Sequence, residues 1–218
     1  MTRKRAKFIR KVVPDMKNES LLQMTGHVRI FDPENNHVFV DKKNAIHFEN
    51  ISEALAYNLA NKRNHFITEM HFGRGGTNFD STGVINFLPT NTNTQNADLY
   101  NPTFFKIIDD TDEDNTDPVR NAMSIRHVPG TVYTDVLCTC LLDYGEPRGQ
   151  TAFDNLNTLE NDFVFDELGL KAWSASGPGT GKLLTHVVFH PIQKSLNRLI
   201  QIDYTIRIQS LTNLTGIS

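Results

Sequence analysis

From Leu199 to Gln209 the chain alternates without a break. Ile200, Ile202, Tyr204, Ile206 and Ile208 fall on one side, and Gln201, Asp203, Thr205, Arg207 and Gln209 on the other. A period of two over this length belongs to an antiparallel strand with one face on a core and the other toward water. Such a segment cannot satisfy its own backbone, so the rest of the chain must supply neighbouring strands.

Those neighbours are legible. Residues 26–31 and 37–40 read as a hairpin across Asp32-Pro33-Glu34-Asn35-Asn36, and residues 67–72 as a strand running into Gly73-Arg74-Gly75-Gly76. Residues 122–128 and 131–142 flank Pro129-Gly130 as a second hairpin, and 163–165 and 183–189 lie on either side of a Gly, Ser and Pro loop over 174–181. One helix is predicted over 50–62, with Asn50 as N-cap, Glu53 at the capping-box position, and Ile51, Ala54, Leu55 and Leu59 on its apolar face. Residues 77–117 are rich in Asn, Thr and Asp, interrupted only at 84–88 and 104–108. That pattern predicts long excursions from a sheet, of the kind that carry function or contacts. The expected fold is all-β with one short helix: an antiparallel β-sandwich, with a jelly roll as its candidate topology, carrying long loops and a basic N-terminal arm. The expected organisation is an extended arm over 1–24 and a single β-sandwich domain over 25–218.

The net charge of −3 conceals an uneven distribution. Residues 1–17 hold seven of the 22 Lys and Arg residues and one of the 25 acids, a charge of +6, leaving 15 basic and 24 acidic residues, or −9, on the other 201. An arm carrying Arg3, Lys4, Arg5, Lys7, Arg10 and Lys11 suits either nucleic acid or the acidic surface of a neighbouring subunit. No later stretch interleaves aromatics with Lys and Arg, so nucleic acid is expected at the arm alone. No hydrophobic run approaches the ~18 residues of a membrane span, and no apolar stretch follows the basic start, so neither a membrane partner nor export by a signal is expected. Cys138 and Cys140, two apart in a strand-like run, read as reduced apolar side chains on one face.

Several segments imitate chemical motifs and fall short. Ser176-Gly177-Pro178-Gly179-Thr180-Gly181-Lys182 resembles a phosphate-binding loop, but its first Gly is Ser176 and Leu183 stands where a magnesium-binding hydroxyl belongs. Gly73-Arg74-Gly75-Gly76 lacks the third Gly and the helix start of a dinucleotide loop. Asp110, Asp112 and Asp114 have the opening spacing of a calcium loop, without Gly at the sixth place (Asn115) or Glu at the twelfth (Asn121). They read as a solvated acidic loop and as a rival partner for the basic arm, with a calcium ion at a subunit contact as the alternative. His186 and His190, four apart in a strand, lie ~13 Å apart and cannot share a metal. No catalytic residue, metal or cofactor is expected. Trp173, beside the 174–181 loop, is the one aromatic suited to a sugar contact.

Phe165-Asp166-Glu167-Leu168-Gly169-Leu170, the run from Leu183-Leu184-Thr185-His186-Val187 to Pro191-Ile192-Gln193-Lys194-Ser195, and the closing Tyr204-Thr205-Ile206-Arg207-Ile208 together resemble structural proteins of tailed bacteriophages, contractile long-tailed ones included. Val40-Asp41-Lys42-Lys43-Asn44-Ala45-Ile46 and Met70-His71-Phe72-Gly73 are similar to the same group, so the resemblance spans about residues 27–209. It implies a non-enzymatic virion subunit, made in the host cytoplasm, that forms a homo-oligomeric ring or shell and docks on other virion structural proteins. Neck, collar or tail is the expected place. The alternatives are a capsid decoration protein and a receptor- or glycan-binding module of a tail fibre or baseplate. A hydrolase acting on cell wall or polysaccharide is the remote reading.

Overall fold

The computed structural model describes residues 21–62, 64–148 and 163–211. In chain order the elements are β1 (Leu21–Phe31), β2 (Val38–Ile46), α1 (Phe48–Leu59), β3 (Ile67–Gly73), β4 (Thr77–Phe79), β5 (Ile85–Phe87), β6 (Pro102–Ile107), β7 (Ala122–His127), β8 (Tyr133–Leu142), β9 (Phe163–Ala172), β10 (Thr185–Lys194) and β11 (Ile200–Leu211). The alternating C-terminal segment is β11, paired along its length with β1 on one side and β8 on the other. Nine strands form one sheet in the order β6-β3-β9-β10-β2-β1-β11-β8-β7, every pair antiparallel, while β4 and β5 make a separate small hairpin.

The sheet curls into two facing layers. Its β10–β2 joint is only Thr185 opposite Ile46 and His186 opposite Ala45. This short joint separates a β6-β3-β9-β10 layer from a β2-β1-β11-β8-β7 layer. Met70, Phe72, Phe104, Phe165, Leu168 and Leu170 of the first pack in one core with Val28, Ile30, Cys138, Cys140, Ile202 and Tyr204 of the second. Layers whose edge strands lie this far apart in the order share a core only if the sheet folds over itself. Lys106 on edge strand β6 donates to the carbonyl of Leu141 on β8 at 2.7 Å, drawing the two open sides together. The fold is therefore an all-β, sandwich-like one with a single short helix. Cys138 and Cys140 are free and buried on the core face, and desolvation pushes both thiols up to about 12.

Several boundaries differ from the sequence reading: β2 runs on to Ile46, β9 to Ala172 and β10 to Lys194, the helix stops at Leu59, and two starts differ as well. β1 begins at Leu21, paired with Leu211, so residues 21–24 belong to the sheet and not to the arm. The basic residues Arg3, Lys4, Arg5, Lys7, Arg10 and Lys11 lie outside the described residues. The helix starts at Phe48 rather than after Asn50, because the ring of His47 acts as N-cap, its Nδ1 accepting from the Asn50 amide at 3.2 Å. Asn50 is instead buried and donates to the Leu183 carbonyl at 2.8 Å. Ile51 and Ala54 pack on Ile46, Ala172 and Leu184 as expected, whereas Leu59, at 88% exposure, has turned away from the sheet.

Candidate functional site

β9 is buried on both faces, and the reason is chemical. Phe165 and Leu168, three apart, both reach the core, so the alternation changes phase over Asp166-Glu167, beside a register shift between Val188 and Ile192 of β10. The acids are thereby released to the outer face. There Glu69 and His71 of β3, Glu167 and Lys171 of β9 and His186 of β10 are all buried. Their cover is the excursion of residues 74–101, together with the loop after β9.

Each buried acid fixes one piece of that cover. Asp166 accepts from the consecutive amides of Gly75, Gly76 and Thr77 at 3.0, 2.9 and 3.0 Å. The Gly-rich turn thus forms an anion-binding nest whose anion is a side chain of the same protein. Glu167 accepts from the amides of Tyr100 and Asn101 at 2.9 and 2.8 Å, and its Oε2 lies 3.0 Å from His186 Nε2. The start and the end of the excursion are therefore held by adjacent residues of one strand. His186 Nδ1 accepts from the Asn91 amide at 2.7 Å and so fixes its middle. A Cβ on Gly169 would stand 2.6 Å from Leu183 and from the Thr185 carbonyl, and 3.3 Å from Leu99, so only glycine lets the cover seat.

Glu69 accepts from the Gly179 amide at 2.8 Å and pairs with His71 at 2.7 Å; Lys171 pairs with Asp98 at 2.7 Å. Burial pushes the His71 ring below the usual imidazole range, against the opposing pull of Glu69. A cavity of about 220 Å³ lies beside His71, Asp98, Lys171 and Phe105. These pairs serve as loop anchors. The Gly179 amide that a phosphate loop would offer to a nucleotide is already given to Glu69, and Lys182 pairs with Glu53.

The anchored excursion presents apolar side chains to solvent. In the β4–β5 hairpin Thr77 lies opposite Phe87 and Phe79 opposite Ile85, which puts Phe79, Ile85 and Phe87 on one face. Phe79 is 67%, Val84 56% and Phe87 55% exposed. A second apolar feature has the opposite shape: an open pocket of about 580 Å³ at the α1 end of the sandwich, lined by Met24, Leu55, Ile67, Met123, Ile125 and Ile206 among others.

The residues singled out from sequence lie elsewhere. Asp112 caps its own turn through the Asp114 amide at 2.9 Å, and Asp110 accepts weakly from the Met123 amide at 3.4 Å. Among the described residues no three His, Cys, Asp or Glu side chains come together to hold a metal. Trp173 is half-buried and stacked on Phe66, 5.9 Å between centroids. Of the anchors, His186 is weighed from sequence only as a metal ligand and Asp166-Glu167 only as part of a packing motif, while Glu69 draws no attention, although acids inside apolar strand runs such as Phe-Val-Phe-Asp-Glu-Leu are a recognisable sign of buried polar work. Comparison with family models, curated proteins and solved structures returns no match.

Proposed function

We propose that this chain is a non-enzymatic structural subunit of a tailed-bacteriophage particle, in the neck, collar or tail, that associates with copies of itself and with neighbouring virion proteins. One observation carries the reading. Asp166, Glu167 and His186 on the outer sheet face are spent on holding the 74–101 excursion, and that excursion carries a hairpin whose Phe79, Val84 and Phe87 face solvent. Charged groups used to build a rigid apolar projection suit a docking element better than a reaction centre. Two of the segments that resemble phage structural proteins have fold-building roles: Asp166-Glu167 hold the excursion, and, apart from it, Lys194 donates to the carbonyls of Asp143, Glu146 and Ser195 at 3.0, 2.8 and 2.8 Å, tying the turn after β8 to the end of β10.

The glycan-binding reading has less behind it, since one face of Trp173 is covered by Phe66. The test is the mass of the purified full-length chain by light scattering behind size exclusion, together with its incorporation into particles assembled in its presence. A discrete oligomer that enters particles is expected. An inert monomer that joins none would overturn the proposal.

A further inference from the structure

The middle of the excursion is held differently from its ends. Gly75, Gly76 and Thr77 at one end, and Tyr100 and Asn101 at the other, give their amides to the carboxylates of Asp166 and Glu167. Between them, Asn91 and Thr94 are held by two imidazoles, His186 and His47, which are 0% and 1% exposed.

The partners fix the state of both rings. A backbone N–H can only donate, so the ring nitrogen it meets carries no proton. The Asn91 amide reaches His186 Nδ1 at 2.7 Å, and the Asn50 amide reaches His47 Nδ1 at 3.2 Å. The proton therefore sits on the other nitrogen of each: His186 Nε2 donates to Glu167 Oε2 at 3.0 Å, and His47 Nε2 to the Thr94 carbonyl at 2.7 Å. Both rings are neutral, in the same tautomer, and used on both sides. A second proton can go only to Nδ1, where it would confront the N–H now accepted there and leave a buried amide unpaired.

The surroundings weight the two rings differently. His47 is the N-cap of α1, so the positive end of the helix opposes a charge on it. The acids of that helix are Glu49, in the first turn, and Glu53, which is paired with Lys182. From the excursion His47 meets the neutral Thr94, and from the segment before β10 the Leu184 carbonyl. His186 meets Glu167 from β9, the Tyr100 ring at 5.8 Å from the excursion, and the uncharged Ala45 opposite it on β2. Glu167 favours a charged ring, which makes His47 the stronger of the two sensors.

The flanks of the clamped stretch have ties of their own. The Tyr100 hydroxyl donates to the Pro89 carbonyl at 2.7 Å, Lys171 pairs with Asp98 at 2.7 Å, and the Leu88 amide donates to the Gly76 carbonyl at 2.8 Å. Residues 90–97 between them depend on the imidazoles.

We propose that His47 and His186 form an acid-released latch: as neutral rings they clamp residues 90–97 to the sheet, and a proton on Nδ1 turns a ring away from its amide and lets that stretch lift while the ends of the excursion and the β4–β5 hairpin stay in place. The device is independent of what the hairpin docks on. Its sign follows from the bound protons. The closed form has no room for the extra proton, whereas a lifted, hydrated imidazole takes one below about pH 6.5, so closure is complete above that pH and weakens as pH falls through it.

Amide hydrogen exchange of the full chain, corrected for the intrinsic pH dependence of each amide, reads the latch. Between about pH 7.5 and about pH 5.5 the opening constant at Asn91 is expected to rise roughly 10-fold for one titrating ring and up to roughly 100-fold for two. Gly76 and Tyr100, held by carboxylates, are expected to change less than about twofold. In the His47→Asn/His186→Asn double variant, whose side-chain oxygens can accept amides but take no proton in this range, the rise at Asn91 is expected to vanish. Nitrogen-15 spectra of the parent rings keep the test valid if that variant fails to fold: both histidines are expected as Nε2–H tautomers at about pH 7.5. A flat response at Asn91 overturns the latch, as does an equal rise at Asn91, Gly76 and Tyr100, which is global opening. A rise that persists in the double variant, or a doubly protonated His47 or His186 while the Asn91 amide remains protected, overturns it too.

Discussion

At the scale of single residues, the anchors of the excursion make the sharpest energetic statement. Asp166 satisfies three consecutive backbone amides, of which that of Gly76 is buried. Asp166→Ala removes all three acceptors at once and leaves donors facing a buried face, for which a loss of about 2–4 kcal/mol is expected. The midpoint of urea unfolding measures it, and a loss under about 0.5 kcal/mol would mean that water replaces the carboxylate without cost. A second residue, Asp135, carries a pH signature. The hydrogen bonds from Arg207 and then Arg126 hold its carboxyl at about 2, well below the usual carboxylate range. The folded state thus holds its proton less tightly than the unfolded chain, and the resulting stability is fully present above about pH 4 and lost as pH falls through 2. Both guanidiniums are partly exposed, so solvent screening keeps the contribution below about 2 kcal/mol. The stability difference between the parent and Asp135→Asn is expected to be flat above pH 4 and to shrink between pH 4 and 2. A difference that stays constant down to pH 2 would contradict the assignment.

At the scale of elements, α1 separates what periodicity can tell from what it cannot. The spacing of Ile51, Ala54 and Leu55 gave the helix its apolar face correctly, but Leu59 continues the same spacing beyond the sheet that the face covers, and nothing in a period reveals where the covered surface stops. Ile51→Ala is expected to cost about 2 kcal/mol, toward the lower end for large-to-small changes because its pocket is already open, whereas Leu59→Lys should fall within about 0.5 kcal/mol of the parent. Thermal melts of the two variants test this, and equal losses would place Leu59 in a contact absent here. The strands were legible for the same reason as the first half of the helix: β11, β1 and β8 each show one face to the core, and period two reports that. The anchored excursion was legible only as a long polar stretch. Its order comes from Asp166 and Glu167, some 65 to 90 residues away in sequence, and local pattern carries no trace of such pairing. The N-cap was missed because a His ring can accept an amide where Asn is the expected residue.

For the whole molecule, the self-association proposed above would draw on two kinds of contact that answer to different conditions. A contact through exposed apolar side chains such as Phe79 and Phe87 changes little with salt. The sequence from 1 to 17 carries +6 against −9 on the remainder, and attraction between one copy's arm and the next copy's body weakens as the screening length falls from ~10 Å at 0.1 M to ~3 Å at 1 M. Each contact alone is small, but a ring applies it once per subunit, and tethering multiplies weak contacts into a stable assembly. A chain beginning at Leu21, the first residue of β1, removes the arm without breaking a described pairing. It is expected to assemble at least tenfold more weakly than the full chain at low salt and equally well near 1 M, where the arm's share is already screened. Light scattering over a salt series distinguishes the cases. Parallel curves, offset by the same factor at every salt concentration, would mean that the arm acts through its apolar residues Phe8, Ile9, Val12 and Val13 and not through its charge. Coincident curves would remove the arm from assembly and leave its basic residues to nucleic acid, which a retained salt-dependent affinity of the full chain for DNA, absent from the shortened one, would then have to show.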